Sequence, residues 1–586
     1  MPFDGFVLAA IRQELAEKLT GSCIDRVYQP AAHTLVLILR RGRDRRRLLL
    51  SAHPTNARAH LLTAPVENPP SPPLFCLVLR KHLEGGRVQK ISQPGLDRIL
   101  ILEIEARDEA GAPAKKRLVC EIMGKHSNII LVDEKTGQIV DAIKRYSHAL
   151  SRYREVLPGR PYLPPPAKGK RNPLILREEE FEQTVLSQPL ELPLAGGLAA
   201  CLDGFSKTLA REVVHRAGLP AEMVLDECGE YELKKLWQAL QELMIPARKG
   251  QFDPTLVINH IIDFAAFDLT HLAGSRKKGE MNALVEVFYV QKEKEEEINR
   301  QRYSLLKLVR KELKSLRKKL AIQEEQFSTV QEADKYRLYG ELLMANLHRL
   351  DKGLPEAVLE NFYDPENKPV LIPLDPARSP VENARAYFKK YSKAKQAGQR
   401  AQAVIGDLQK ELDYLSGVET SLEQADSLAD LLETGEELAE QGYLPKHEKI
   451  NRKKIGKLAC TPELLTFTSS DGFTILVGRN NKQNDYLTTR LAKNNDLWLH
   501  TRDIPGAHVI IRAEQRQPTP TTLREAAALA AYYSQARHSQ NVPVDYTLRK
   551  NVHKPRGARP GFVIYKEQRT ITADPDEELV ERLKRQ

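Results

Sequence analysis

Residues 498–509 gather Trp498, His500, Arg502, Asp503 and His508 into one short stretch, and Trp498 is one of only two tryptophans in the chain. His500 and His508 are of metal-ligating type, but no third ligand stands at a useful spacing and Arg502 flanks Asp503, so no metal is expected. Stacking and phosphate binding suit the cluster better. The expectation is a Trp498 buried in the core, with Arg502 and His508 left as surface contacts. Around it, residues 441–560 hold 20 Lys and Arg against 9 Asp and Glu, while the rest of the chain balances at 69 of each sign. A net charge of +11 confined to one segment, with planar groups at Tyr486, Asn494 and Asn495, points to RNA as the partner. The alternative is a solvated basic face around a buried tryptophan. Arg479 and the run 550–559, with Lys550, His553, Lys554, Arg556 and Arg559, extend the candidate surface, and proline and glycine should keep that run extended along a phosphate backbone.

The sequence lacks a Gly-rich phosphate loop, a nucleophile motif and metal-ligand spacing, so neither a catalytic centre nor a cofactor is expected. Six cysteines lie far apart with no C-x-x-C pair, which argues against disulfides and zinc fingers. No apolar run reaches the ~20 residues of a membrane span, and Asp4, Arg12 and Glu14 break the pattern of a signal peptide, so a cytoplasmic location is expected.

At 586 residues, three to five domains are expected, and the fold class is multidomain α+β. A helix over 6–19 precedes a strand over 25–39, a basic tract at 40–47 and the apolar Leu48, Leu49 and Leu50. β-rich runs separated by turn signals between 88 and 146 predict an antiparallel meander. Together these form an α+β domain over 1–172, and the proline-rich 158–173 reads as a linker. Residues 176–280 turn helical, and the unit around Gly204 and Gly218 suggests a helix-hairpin-helix or, with its single leading glycine, a plain helical connector. Over 284–435, Leu306, Val309, Leu313, Leu316 and Leu320 alternate spacings of 3 and 4, as do Ala401, Ile405, Leu408, Leu412 and Leu415. That is the seam of an antiparallel coiled coil, with a small tip at 328–383. An α+β RNA-binding domain over 445–565 and a tail over 566–586 complete the plan.

Two further groups stand at turns. Asp97 and Arg98 follow Pro94-Gly95 and precede an apolar strand, placing them at its mouth, where they form either a ligand contact or a surface ion pair. Residues 121–128 read as strand, turn at Gly124 and strand, with Lys125, His126, Ser127 and Asn128 on an exposed bend.

These residues, with Phe3-Asp4-Gly5, the tip string at 333–336, Leu374-Asp375-Pro376, Ser379-Pro380, Asn383-Ala384, the aromatic-basic 387–391 and the 498–509 cluster, resemble the NFACT family over essentially the whole length. The resemblance implies a ribosome quality-control factor. Such proteins bind large ribosomal subunits obstructed by peptidyl-tRNA and recruit alanyl-tRNA. They direct mRNA-independent addition of C-terminal alanine, while the ribosome itself performs peptidyl transfer. It implies tRNA contacts at Asp97, Arg98, Glu121, Ile122, Met123, Lys125, His126 and Asn128. A monomer off the ribosome is expected because both coiled-coil arms lie in one chain and can cover each other's seams, the alternative being a coiled coil that dimerises. Two competing functions are weaker. A DNA glycosylase or lyase would use Pro2 as nucleophile, but Phe3 stands where such enzymes place an acid and no zinc finger is present. A fibronectin-binding adhesin, an older description in the family, would call for a secretion signal.

Overall fold

The computed structural model describes residues 3–107, 111–149, 153–166, 169–258, 263–331, 333–444, 464–514 and 516–584. Pro2 lies outside them, as do six of the basic residues counted above, between 446 and 457. The chain divides into two compact units, Met1–Lys294 and Glu295–Gln586.

The first unit opens with α1 (Gly5–Leu19), whose N-cap Asp4 accepts from the Phe6 and Val7 amides at 3.1 and 2.9 Å. A nine-stranded antiparallel sheet follows in the order β4-β3-β2-β1-β5-β6-β7-β8-β9. Its strands are β1 (Cys23–Ala31), β2 (Thr34–Arg41), β3 (Asp44–Ser51), β4 (Arg58–Leu62), β5 (Arg87–Ser92), β6 (Ile99–Arg107), β7 (Pro113–Glu121), β8 (Asn128–Asp133) and β9 (Ile139–Ala142). The expected strand at 25–39 is thus a hairpin, and the meander from β5 continues the same sheet. One face packs α1 and α2 (Leu74–Leu83) through Leu37, Leu48, Leu100 and Leu118. Ile99, Val119, Ile130 and Val132 line a second core on the opposite face, which explains the unbroken apolar run at 129–132. Part of the expected linker instead lies along the sheet edge: Gln138 bridges to Pro161, and the Ile139 amide donates to Arg160 O at 2.8 Å.

Four helices come next, α3 (Glu178–Leu186), α4 (Leu194–Cys201), α5 (Lys207–Arg216) and α6 (Glu230–Arg248). They are followed by a three-stranded sheet of β10 (Thr255–Ile258), β11 (Asp263–Ala265) and β12 (Ser275–Lys278). The α4–α5 turn meets the start of α1, where the Gly5 amide donates to Gly204 O at 3.1 Å. A Cβ on Gly5 would lie 2.1 Å from Leu96 O, so this close approach requires glycine.

Helix α7 (Met281–Gln331) runs into the second unit. There it packs on α9 (Pro380–Gln424) through Leu305, Val309, Leu313 and Leu316 against Leu412, Leu415, Val418 and Leu422. Arg302 reaches Ala425 O and Arg310 reaches Glu419 at 2.7 Å, so the two helices run in opposite directions. Between them, α8 (Ala333–Ala345), β13 (Glu356–Glu360) and β14 (Pro369–Pro373) share a small core around Leu342, Ile372 and Tyr387. After α10 (Leu428–Glu440), a six-stranded sheet runs β15-β16-β18-β17-β19-β22. Its strands are β15 (Leu465–Thr468), β16 (Thr474–Val477), β17 (Leu497–Thr501), β18 (Val509–Ile511), β19 (Val542–Leu548) and β22 (Arg569–Ala573), with a separate ribbon of β20 (Val552–His553) and β21 (Ile564–Tyr565). Between β16 and β17 comes α11 (Asn481–Tyr486). Helices α12 (Pro520–Tyr532) and α13 (Glu577–Lys584) cover one face of the sheet, and Leu487, Trp498, Ile510 and Val552 pack on the other.

Candidate RNA interfaces

In the first unit the two predicted segments meet. Strands β6 and β7 pair with Ile99 opposite Glu121, and the Ile122 amide donates to Arg98 O at 2.8 Å. The Asp97 amide closes a turn on Pro94 O at 3.0 Å, with Gly95 at φ 53°, and the Gln93 side chain donates to both Gly5 O (3.0 Å) and Asp97 O (2.9 Å). Asp97 is exposed and Arg98 half-buried. Burial lowers the pKa of the Arg98 guanidinium, while Asp4, Asp97 and Asp203 pull it back up. The same burial pushes the Asp4 carboxyl up to about 6, against the amide of Val7, the hydroxyl of Ser206 and the charge of Arg98.

Beneath this surface Glu121 is 0 % exposed. Arg154, itself 6 % exposed, donates to both its oxygens at 2.8 and 2.5 Å, and the Tyr162 hydroxyl donates at 3.0 Å. Glu121 is therefore an anchor that fixes the end of β7, and Ile122 is buried beside it. The bend is only partly exposed, contrary to expectation. Lys125 and His126 project from the 3-10 turn Gly124–His126, whereas Ser127 and Asn128 are buried. The reason is backbone demand: Ser127 Oγ accepts from the half-buried Met123 amide at 2.8 Å, and Asn128 Oδ1 accepts from Lys144 N at 3.0 Å while its amide donates to Lys144 O at 2.9 Å. What remains to meet a ligand is Asp97, Arg98, Lys125 and His126, with Met123 half-buried like Arg98. Arg154 and Tyr162, which support them, carry no signal in the sequence because Glu121 is remote along the chain, and Gln93 carries none because one of its two acceptors, Gly5 O, is 88 residues away.

In the second unit the predicted residues disperse. Trp498 is 1 % exposed, stacked on His500 at 5.7 Å and edge-on to His508 at 5.2 Å. His508, expected at the surface, is buried and pairs its Nδ1 with Thr488 Oγ1 at 2.7 Å. Burial lowers the pKa of His500, and that of His508 further still. Both rings are thus neutral near pH 7 and offer phosphate no charge. Arg502 donates to Asp545 at 2.9 Å, and Lys554 pairs with Asp485. Arg559 stacks over Tyr414 at 4.6 Å and donates to the Tyr443 hydroxyl at 2.9 Å. Arg479 meets Asp430 at 2.8 Å.

Asp430 belongs to a stripe on α10, with Glu433, Glu437 and Glu440 at helical spacing. The start of α11 docks on it: Asn480 donates to Glu433 at 2.8 Å, Asn481 to Glu437 at 3.0 Å and Lys482 to Glu440 at 3.0 Å. Of the basic residues singled out here from sequence, Lys550, His553 and Arg556 are exposed, and Arg502 is exposed but paired. Two basic residues not singled out from sequence join Lys550: Arg490 and Lys493 are exposed with Asn494 and Asn495, and form no ion pair with any described residue. A π-helical turn, Leu487–Leu491, presents Arg490, and the Lys550 amide donates to Asn494 O at 3.2 Å, which joins the 549–551 turn to the 493–496 turn. Arg490 and Lys493 were missed because isolated cations look alike in sequence, whether free or paired.

Residues 4–457 match the family model for NFACT N-terminal and middle domains, and residues 464–567 match that for the NFACT protein RNA binding domain. The chain is 40% identical over 588 residues to the Rqc2 homolog RqcH of Bacillus subtilis (strain 168), covering 100% of both. It is 35% identical over 590 residues to the Rqc2 homolog RqcH of Streptococcus suis (strain 05ZYH33), again covering 100% of both. Among solved structures, the N-terminal part of the Streptococcus suis fibronectin/fibrinogen-binding protein is 30% identical, with 49% of this chain and 99% of that one covered and a TM-score of 0.41. Two family models in succession and full-length relatives at this identity establish that the chain belongs to the NFACT family.

Proposed function

We propose that this chain is a ribosome-associated quality-control factor. In this reading it binds large ribosomal subunits that still carry peptidyl-tRNA, recruits alanyl-tRNA and directs mRNA-independent alanine tailing of the stalled chain for degradation. The observation that carries it is the full-length similarity to proteins named Rqc2 homolog RqcH. Asp97, Arg98, Lys125 and His126 contact the tRNA, held by Gln93 and by the Glu121–Arg154 pair, and Arg490, Lys493, Lys550 and Arg556 contact ribosomal RNA. Arginine and lysine supply phosphate contacts, and Asp97 and His126 offer an acceptor and a donor to a base edge. Such recruitment needs placement rather than a reaction centre, so peptidyl transfer stays with the ribosome. Helices α7 and α9 act as the arms of a coiled-coil spacer, and because each covers the apolar seam of the other, the free chain is a cytosolic monomer.

Sequencing the RNAs that copurify with the full chain tests this. Enrichment of tRNA-Ala together with large-subunit RNA is the expected result, and recovery of neither overturns the reading.

A further inference from the structure

The basic tract at 40–47 has no part in that reading, yet six of its eight residues are arginine. Strands β2 and β3 pair with Arg40 directly opposite Arg45 and Ile38 opposite Arg47, while β1 sets Tyr28 opposite Val36. Leu35, Leu37, Leu39, Leu48 and Leu50 enter the core. Strand alternation therefore places Tyr28, Val36, Ile38, Arg40, Arg45 and Arg47 together on the other face. Like charges directly opposite one another destabilise an antiparallel pair. Asp25 lies between them, 3.8 Å from Arg40 and 3.1 Å from Arg45, and Asp44 takes Arg46 at 2.7 Å. Arg41, Arg43 and Arg47 form no ion pair with any described residue, and Glu67 is the carboxylate on the neighbouring 65–68 segment. On this face Arg40, Arg45 and Arg47 share Asp25 as their neighbouring carboxylate, so it keeps a positive surplus, although Arg47 also donates to Thr63 O.

Beside the arginines is a pocket of about 210 Å³, lined by Tyr28, Val36, Ile38, Arg45 and Arg47 and by Pro65, Val66 and Asn68. That is below the roughly 300–1,000 Å³ of a small-molecule site, so it suits one planar ring rather than a whole ligand. We propose that this face is a second RNA-binding site of the N-terminal unit, taking a single-stranded segment. Its phosphates lie along Arg40, Arg43 and Arg45, and one unpaired base enters the pocket against Tyr28. Guanidinium forks match phosphate geometry, and an aromatic side chain stacks on any base without sequence preference. Charge alone would also suit an acidic peptide; the ring-sized pocket with an aromatic wall favours a nucleic acid.

Photocrosslinking of the full chain to a 4-thiouridine-substituted oligouridylate, with the sites read by mass spectrometry, tests the site without ribosomes and so independently of the function proposed above. Crosslinks are expected on the peptides holding Tyr28 and residues 65–68. The double substitution Arg43→Ala, Arg45→Ala removes exposed side chains, and it should lower these crosslinks about tenfold as phosphate contacts are lost. Crosslinks to the C-terminal domain should persist, and an unchanged urea midpoint of Trp237 fluorescence in a variant lacking Trp498 reports that the N-terminal unit is folded. Tyr28→Leu keeps the apolar volume and should abolish the pocket crosslink alone. Absence of crosslinks from this face overturns the proposal, as does a yield unchanged in the double variant. Displacement by polyglutamate as efficient as by unlabelled oligouridylate would mark a general anion surface, and would overturn it too.

Discussion

The two candidate interfaces differ in where their charges go. In the N-terminal unit one buried ion pair, Glu121 with Arg154, lies under the candidate residues and fixes the strand end that presents them. In the C-terminal unit the ion pairs consume the candidates themselves: Arg479, Arg502, Lys554 and Arg559 are held by Asp430, Asp545, Asp485 and a tyrosine pair. A charged residue that looks functional in sequence can therefore support a site or be spent beside one, and burial decides which.

The largest expected effect breaks the first kind of pair. Arg154→Ala leaves the Glu121 carboxylate buried without its cation and should cost about 3–5 kcal/mol in urea denaturation. Arg502→Ala should cost less, because the Arg502 side chain is 44 % exposed and Asp545 keeps the Tyr565 and Thr570 hydroxyls. Equal losses would erase the distinction.

Acid should move the two units in opposite directions. Asp4, raised from 3.8 to about 6, stabilises the fold fully below its unfolded pKa and loses that contribution as pH rises through about 6. His508, lowered well below 6.5, contributes stability above 6.5 that is lost as pH falls. Each unit holds one tryptophan, Trp237 or Trp498, so variants retaining one of them report each unit's unfolding separately. Asp4→Asn should flatten the N-terminal profile between about pH 4 and 6, removing a swing of up to about 3 kcal/mol. A profile that keeps its slope in Asp4→Asn would rule Asp4 out as its source.

Recruitment comes next. Asp97→Ala with Arg98→Ala should reduce copurified tRNA at least tenfold, about 1.4 kcal/mol, while cosedimentation with large subunits is retained. Parallel loss of both activities would make the pair structural. The smallest effect sharpens the C-terminal side: Arg490→Glu with Lys493→Glu should weaken rRNA binding and reduce its log–log salt slope by about 0.7–0.9 per lost phosphate contact. If Arg559→Glu reduces the slope as much with the fold intact, Arg559 belongs to the interface after all.

Much of this was legible in the sequence where one strand or helix carries its own signal. Helix α1, the meander from β5 to β9 and the apolar seams of α7 and α9 follow from periodicity and turn residues. The meeting of 97–98 with 121–128 was not, because it depends on the β6–β7 register. Nor was the burial of His508 and Asn128. Each is a polar residue whose hydrogen-bond partners, Thr488 and Lys144, lie 20 and 16 residues away. Charge counting located the basic region at 441–560 but could not separate free cations from those already paired.

The acidic stripe of α10 has a consequence for any fragment. Cutting the chain after that helix would release Arg479 and Lys482 from Asp430 and Glu440, and Arg559 would lose Tyr414 and Glu411, keeping the Tyr443 hydroxyl. An excised C-terminal domain would then show three cations that the whole protein keeps occupied, and would overstate its own attraction for RNA. Seen this way, α10 is an internal counter-ion that neutralises part of the domain's positive charge within the chain.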